Sequence, residues 1–140
     1  GCAPPPEVEV GGDPDVSIAF PPSQDPDGGG PFQLHEREPG AGWLVQVVID
    51  VDNLEMVDPY APENADPVEG QGHWHLEALG ADTPVAGVPF TELEIIGEPH
   101  RPGDLVTLTA ALKQNDHSPL LDSNGNEITA TVEIQLAVVE

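Results

Sequence analysis

Trp43-Leu44-Val45-Gln46-Val47-Val48-Ile49-Asp50-Val51 is the stretch on which the fold turns. Val45, Val47, Ile49 and Val51 recur every second residue, the period at which a strand returns to one face. Their β-branched side chains favour extended backbone. Leu54 and Met56 continue the apolar pattern beyond Asp52-Asn53, which predicts a kink or bulge there. Residues 16–20, 72–79, 91–96, 105–113 and 127–139 read as strands for the same reasons. Val106, Leu108, Ala110 and Leu112 alternate in one of them. Ile128, Ala130, Val132, Ile134, Leu136 and Val138 alternate in the next. The turn residues Asp122-Ser123-Asn124-Gly125-Asn126 predict that these two strands pair, since Asn-Gly supplies positive φ. The 17 prolines leave few stretches long enough for a helix. Residues 21–31 and 58–70, rich in Pro, Asp, Glu and Gly, read as loops.

About seven short strands between turns imply an all-β chain, an immunoglobulin-like antiparallel β-sandwich over residues 16–140. The disulfide of antibody domains is excluded, because the chain has one cysteine. Its 140 residues suffice for one core. Asp and Glu number 26 against 3 Lys and Arg, a formal charge of −23. Nucleic-acid binding needs clustered Lys and Arg, so this balance argues against it, and against docking on anionic lipid. It favours solubility and attracts cations. No apolar run approaches the length that spans a bilayer.

Gly1-Cys2-Ala3-Pro4-Pro5-Pro6-Glu7 looks like the end of a bacterial lipoprotein signal, with Cys2 as the lipidated residue. Residues 1–15 would then be a lipid-anchored, Pro- and acid-rich tether. The expected location is extracytoplasmic, in a bacterial periplasm or at the cell surface, with Cys2 as the only membrane attachment.

Five histidines carry the chemistry: His35, His73, His75, His100 and His117. In Gly70-Gln71-Gly72-His73-Trp74-His75-Leu76, the two histidines share a strand face, with Cβ atoms about 7 Å apart. Two imidazoles at that spacing can converge on one ion. Trp74 and Leu76 point the other way, into a core. Gly70 and Gly72 permit a sharp bend or the close approach of a neighbour. His117 follows the 105–113 strand in Asn115-Asp116-His117-Ser118-Pro119 and can complete a set of three. Asp116 or Asn115 could accept the second ring N–H of a ligand. His100 is a further candidate ligand, although the charge of adjacent Arg101 opposes a cation. His35 reads as a surface loop residue. The alternative for each histidine is an ordinary polar-face or loop role.

Imidazole donors suit copper(II), zinc or nickel rather than magnesium, and copper should bind tightest of the divalent ions. Met56 reads as a core residue. Residues 122–127 lack the ligand spacing of a calcium loop and read as a hairpin turn.

Gly70-x-Gly72-His73-x-His75-Leu76, then Pro102-Gly103 before an alternating strand, then Asn115-Asp116-His117-Ser118-Pro119, resembles a group of uncharacterised bacterial exported proteins. These are immunoglobulin-like domains, often lipoproteins, with a G-x-G-H-x-H-L motif and a later D-H. The resemblance implies that fold and a histidine site, without an assigned activity. That group commonly has a histidine after the Pro-Gly, where this chain has Asp104 and Leu105. The H-x-H strand is also similar to the copper strand of copper–zinc superoxide dismutases, but the remaining ligand pattern is missing.

The expected role is binding, buffering or delivery of copper, or alternatively zinc, through His73, His75 and His117, with His100 as a fourth candidate. Two other roles fit the same residues: a copper redox enzyme of dismutase-like type, and a metal-free adhesion or scaffold module.

Overall fold

The computed structural model describes residues 13–25, 29–96 and 100–139. Of the expected tether over residues 1–15, residues 1–12, Cys2 included, lie outside the described residues, and Asp15 already belongs to the first strand. In chain order the strands are β1 Asp15–Phe20, β2 Phe32–His35, β3 Trp43–Asp52, β4 Glu55–Met56, β5 Gln71–Glu77, β6 Val85–Ala86, β7 Phe90–Ile95, β8 Leu105–Lys113 and β9 Thr129–Ala137. The described residues hold one 3-10 turn, Pro62–Asn64, and no helix long and apolar enough to cross a membrane. The chain is all-β, as its alternation and prolines imply.

The strands form two sheets. One has the order β1-β3-β7. The other runs β2-β9-β8-β5-β4, with β6 also pairing on the β4 side of β5. The long strands pair antiparallel, but β2 lies parallel to β9 and β4 parallel to β5. The larger sheet is therefore mixed rather than antiparallel throughout. Both parallel additions are short segments that arrive from the other sheet, directly after β1 and β3. The expected kink after β3 is the crossing itself. Asn53, at φ 61°, turns the chain out of one sheet so that Met56 runs beside Gly72 in the other.

Both sheets turn alternate residues inward onto one core. Trp43, Val45, Val47 and Ile49 come from β3, Trp74 and Leu76 from β5. Leu108, Ala110 and Leu112 come from β8, and Val132, Ile134 and Leu136 from β9. Burial of a side chain of this size is worth about 1.5–3 kcal/mol. The indoles satisfy their only donors within this frame. Trp43 Nε1 donates to Ala137 O (2.9 Å) and Trp74 Nε1 to Val88 O (2.8 Å).

β8 and β9 pair as expected, Ala111 opposite Thr129 through Leu105 opposite Gln135. The Asp122–Asn126 turn is present, with Asp122 Oδ1 accepting the N–H groups of Asn124 and Asn126. It does not join the strands directly. A second small hairpin over residues 114–118 precedes it, closed by Gln114 N–H donating to Ser118 O (2.8 Å). That extra hairpin carries His117.

Candidate metal centre

Alternation in β5 sends Trp74 and Leu76 into the core and His73 and His75 to the outer face of the larger sheet. That outer face is covered here. His73 is fully buried and His75 is 5% exposed. Opposite them on β8 stand Lys113 and Ala111 respectively. The small Ala111 side chain leaves room for the His75 ring.

Gly72 fixes the approach of β8. A Cβ at that position would collide with the carbonyl oxygen of Lys113. The glycine before His73 thus serves close backbone approach, one of the two uses expected of it. Gly70 serves the other, bending the chain at φ +86° as it enters β5.

His117 reaches the pair from a three-residue hairpin loop. Its N–H donates to Gln114 O (2.8 Å), and its own φ is 71°. A turn followed by a left-handed residue is the usual geometry of such loops. Glycine is the default residue there, so a histidine at this position carries a backbone cost. The loop is held on both sides. Asp116 Oδ1 accepts the N–H and hydroxyl of Ser118. Those two bonds, side chain first, hold the Asp116 carboxyl below its ordinary pKa. Asn115, 1% exposed, donates through Nδ2 to Asp66 O (3.0 Å) and Gln71 Oε1 (3.2 Å). Gln71 Nε2 in turn lies 3.4 Å from Glu55 Oε1. This chain of amides ties the His117 loop to β5 and to the 58–70 loop.

The outcome is a triangle of ring nitrogens. His73 Nε2 lies 3.1 Å from His75 Nε2 and 3.1 Å from His117 Nδ1, and the third side measures 3.2 Å. These three residues could hold a metal ion. Imidazole nitrogens that close together would supply three donors to a single ion. His117 is the exposed member, and the exposed Tyr60 ring lies against it at 5.9 Å.

Burial, and then the charges of His117, His75 and Lys113, push the pKa of His73 down from 6.5 to about 4. It is therefore neutral at physiological pH, the form that donates to a metal. With Nε2 committed to the triangle, the His73 proton belongs on Nδ1, which is buried without a hydrogen-bond partner. His75 Nδ1 is better placed, 3.0 Å from Asp82 Oδ1. The ring N–H points off the line to that oxygen, so the contact is close without being an aligned hydrogen bond. Lys113, the chain's only lysine, is 6% exposed, with Nζ 3.6 Å from Glu77 Oε2.

His73, His75 and His117 are thus brought together. His100 is not. It precedes the 101–104 turn that leads into Leu105, at the end of β8 opposite Lys113. Among the described residues it does not join the triangle. His35 is occupied elsewhere, its Nδ1 2.8 Å from Val138 O. Met56 packs against the core. The expectation that Asp116 or Asn115 would receive a ligand's second N–H is corrected. Asp116 faces Ser118, and the Asn115 amide acts as a donor. The carboxylate beside a histidine is Asp82. It gets there because Leu79 (φ 56°) and Gly80 (φ 78°) make a two-residue hairpin turn after β5. Gly80 signals that turn in the sequence, but Leu79 does not.

No protein-family model, curated protein or solved structure matches this chain.

Proposed function

We propose that this chain binds a transition metal, copper in the first place, through His73, His75 and His117, and that it buffers or delivers that ion outside the cytoplasm. The observation that carries the reading is the triangle of nitrogens with sides of 3.1–3.2 Å, two of its three rings buried. Imidazole nitrogens this close conflict whenever all their lone pairs point inward, and a cation at that point removes the conflict. All-nitrogen donors of intermediate softness favour copper(II) over zinc by the Irving–Williams order. The strongly negative chain raises the local concentration of cations. The extracytoplasmic location belongs to the same proposal, supported by Cys2 and the Pro-rich acidic run after it. So does the immunoglobulin-like arrangement of the two sheets, supported by the order of the long strands.

Calorimetric titration of metal-stripped protein tests the reading. Copper(II) should bind at one equivalent with micromolar or tighter affinity, and zinc more weakly. Loss of two ligands should cost about 10³–10⁴ in affinity. Binding that survives His73→Ala plus His75→Ala would place the site elsewhere. The exposed side of the centre also suits a dismutase-like copper enzyme. Superoxide turnover by the copper-loaded chain above that of free copper would favour that role over buffering.

A further inference from the structure

Three rings meet in the triangle, and each needs its lone pair turned inward, so each must carry its proton on the other nitrogen. The surroundings supply this unequally. His117 is exposed. His73 Nδ1 has no partner. His75 Nδ1 has a carboxylate at hydrogen-bond distance, Asp82 Oδ1 at 3.0 Å, whereas Asp116, the carboxylate near His117, is turned to Ser118.

The Asp82 carboxylate is also not neutralised. Among the described residues the buried cation near the centre, Lys113, is paired with Glu77, and no lysine or arginine pairs with Asp82. Its charge is therefore available to whatever His75 binds. Its side chain is 58% exposed, so it is free to rotate into line with the ring N–H. Hydrogen bonds of this type are often misaligned in the free protein and tighten on binding.

We infer that Asp82 is a positioning residue of the centre: it holds His75 as the Nδ1–H tautomer, and its charge makes the site favour a divalent ion over copper(I). This rests on the metal reading above. A carboxylate behind a ligating imidazole fixes the ring and raises its basicity. Its attraction for a doubly charged ion is twice that for a singly charged one at the same distance.

Two measurements on the full-length chain test this separately. Nitrogen-15 spectra of metal-free protein, labelled at histidine, report which nitrogen of His75 is protonated. Wild type and Asp82→Glu should show Nδ1–H. Asp82→Asn should too, because its amide oxygen still accepts. Asp82→Ala should lose the preference. Copper affinities then read the charge. Asp82→Ala and Asp82→Asn should lose about 10–100-fold in copper(II) affinity, with a smaller loss for copper(I). The reduction potential of bound copper should then rise by about 59 mV for each tenfold difference. Asp82→Glu should restore both. A wild-type His75 protonated on Nε2, or equal losses for the two oxidation states, overturns the inference. A wild-type chain that binds neither ion overturns the metal reading instead, and the metal-free spectra still decide what Asp82 does to His75.

Discussion

The two faces of β5 are buried alike and built in opposite ways. On the inner face Trp74 and Leu76 are fully enclosed, and the one polar atom present, Trp74 Nε1, has a partner. On the outer face His73 and His75 are as deeply enclosed, yet Nδ1 of each lacks an aligned hydrogen bond. An unsatisfied buried polar group costs about 1–3 kcal/mol. The inner face therefore stabilises the fold, and the outer face draws on that stability. A second comparison sharpens the point. The outward residues of the smaller sheet, such as Gln46, Asp50, Glu92 and Glu94, are exposed and solvated. An outward strand face needs no burial to be soluble. The 58–70 and 114–118 loops meet beside this one, through Asn115 on Asp66 and Tyr60 on His117, and its two histidines are buried.

Substitutions on the two faces should consequently separate stability from affinity. Trp74→Ala should have the largest effect, lowering unfolding free energy by about 3–5 kcal/mol in urea titrations. His73→Leu should behave inversely. Copper affinity should fall about 100-fold, one ligand's worth. Metal-free stability should stay level or rise by up to about 1 kcal/mol, since a buried unpaired N–H is removed. Equal destabilisation by both variants would erase the distinction between the faces.

Acid should act in part through the outer face. His73 in the folded chain has a pKa of about 4, against 6.5 when unfolded. As pH falls, the unfolded chain takes up this proton first. The stability linked to neutral His73 is thus complete above pH 6.5, declines between 6.5 and about 4, and is level below. The loss should be no more than about 3.4 kcal/mol. His73→Leu should lack this part of the decline when urea midpoints at pH 7.5 and 4.5 are compared with wild type. His117→Gly should likewise raise metal-free stability by up to about 1 kcal/mol, through relief of the positive φ.

Alternation made much of this legible. It located the long strands and separated Trp74 and Leu76 from His73 and His75, because a period of two leaves no freedom in which way a side chain points. Leu105–Lys113 matches its sequence boundaries, and β9 is shorter than the expected 127–139. The two-residue strands β4 and β6 were not legible as pairing partners, since so short a segment has no period. β2 escaped for the same reason, between a proline loop and Glu36. Convergence of His117 on the other two followed from its position just past β8, but the loop that delivers it did not. Asp82 was invisible because it lies seven residues beyond His75 and returns only through a turn with leucine at a left-handed position. His100 drew attention by composition, and the path of β8 carries it to the other end of the sheet.

Electron paramagnetic resonance of the chain with one equivalent of copper(II) is the decisive measurement. Three nitrogen donors should appear in the wild type, two in His117→Gly, and one in the chain lacking His73 and His75. A spectrum that is unchanged across these variants, or one that shows only oxygen donors, would contradict the proposed centre.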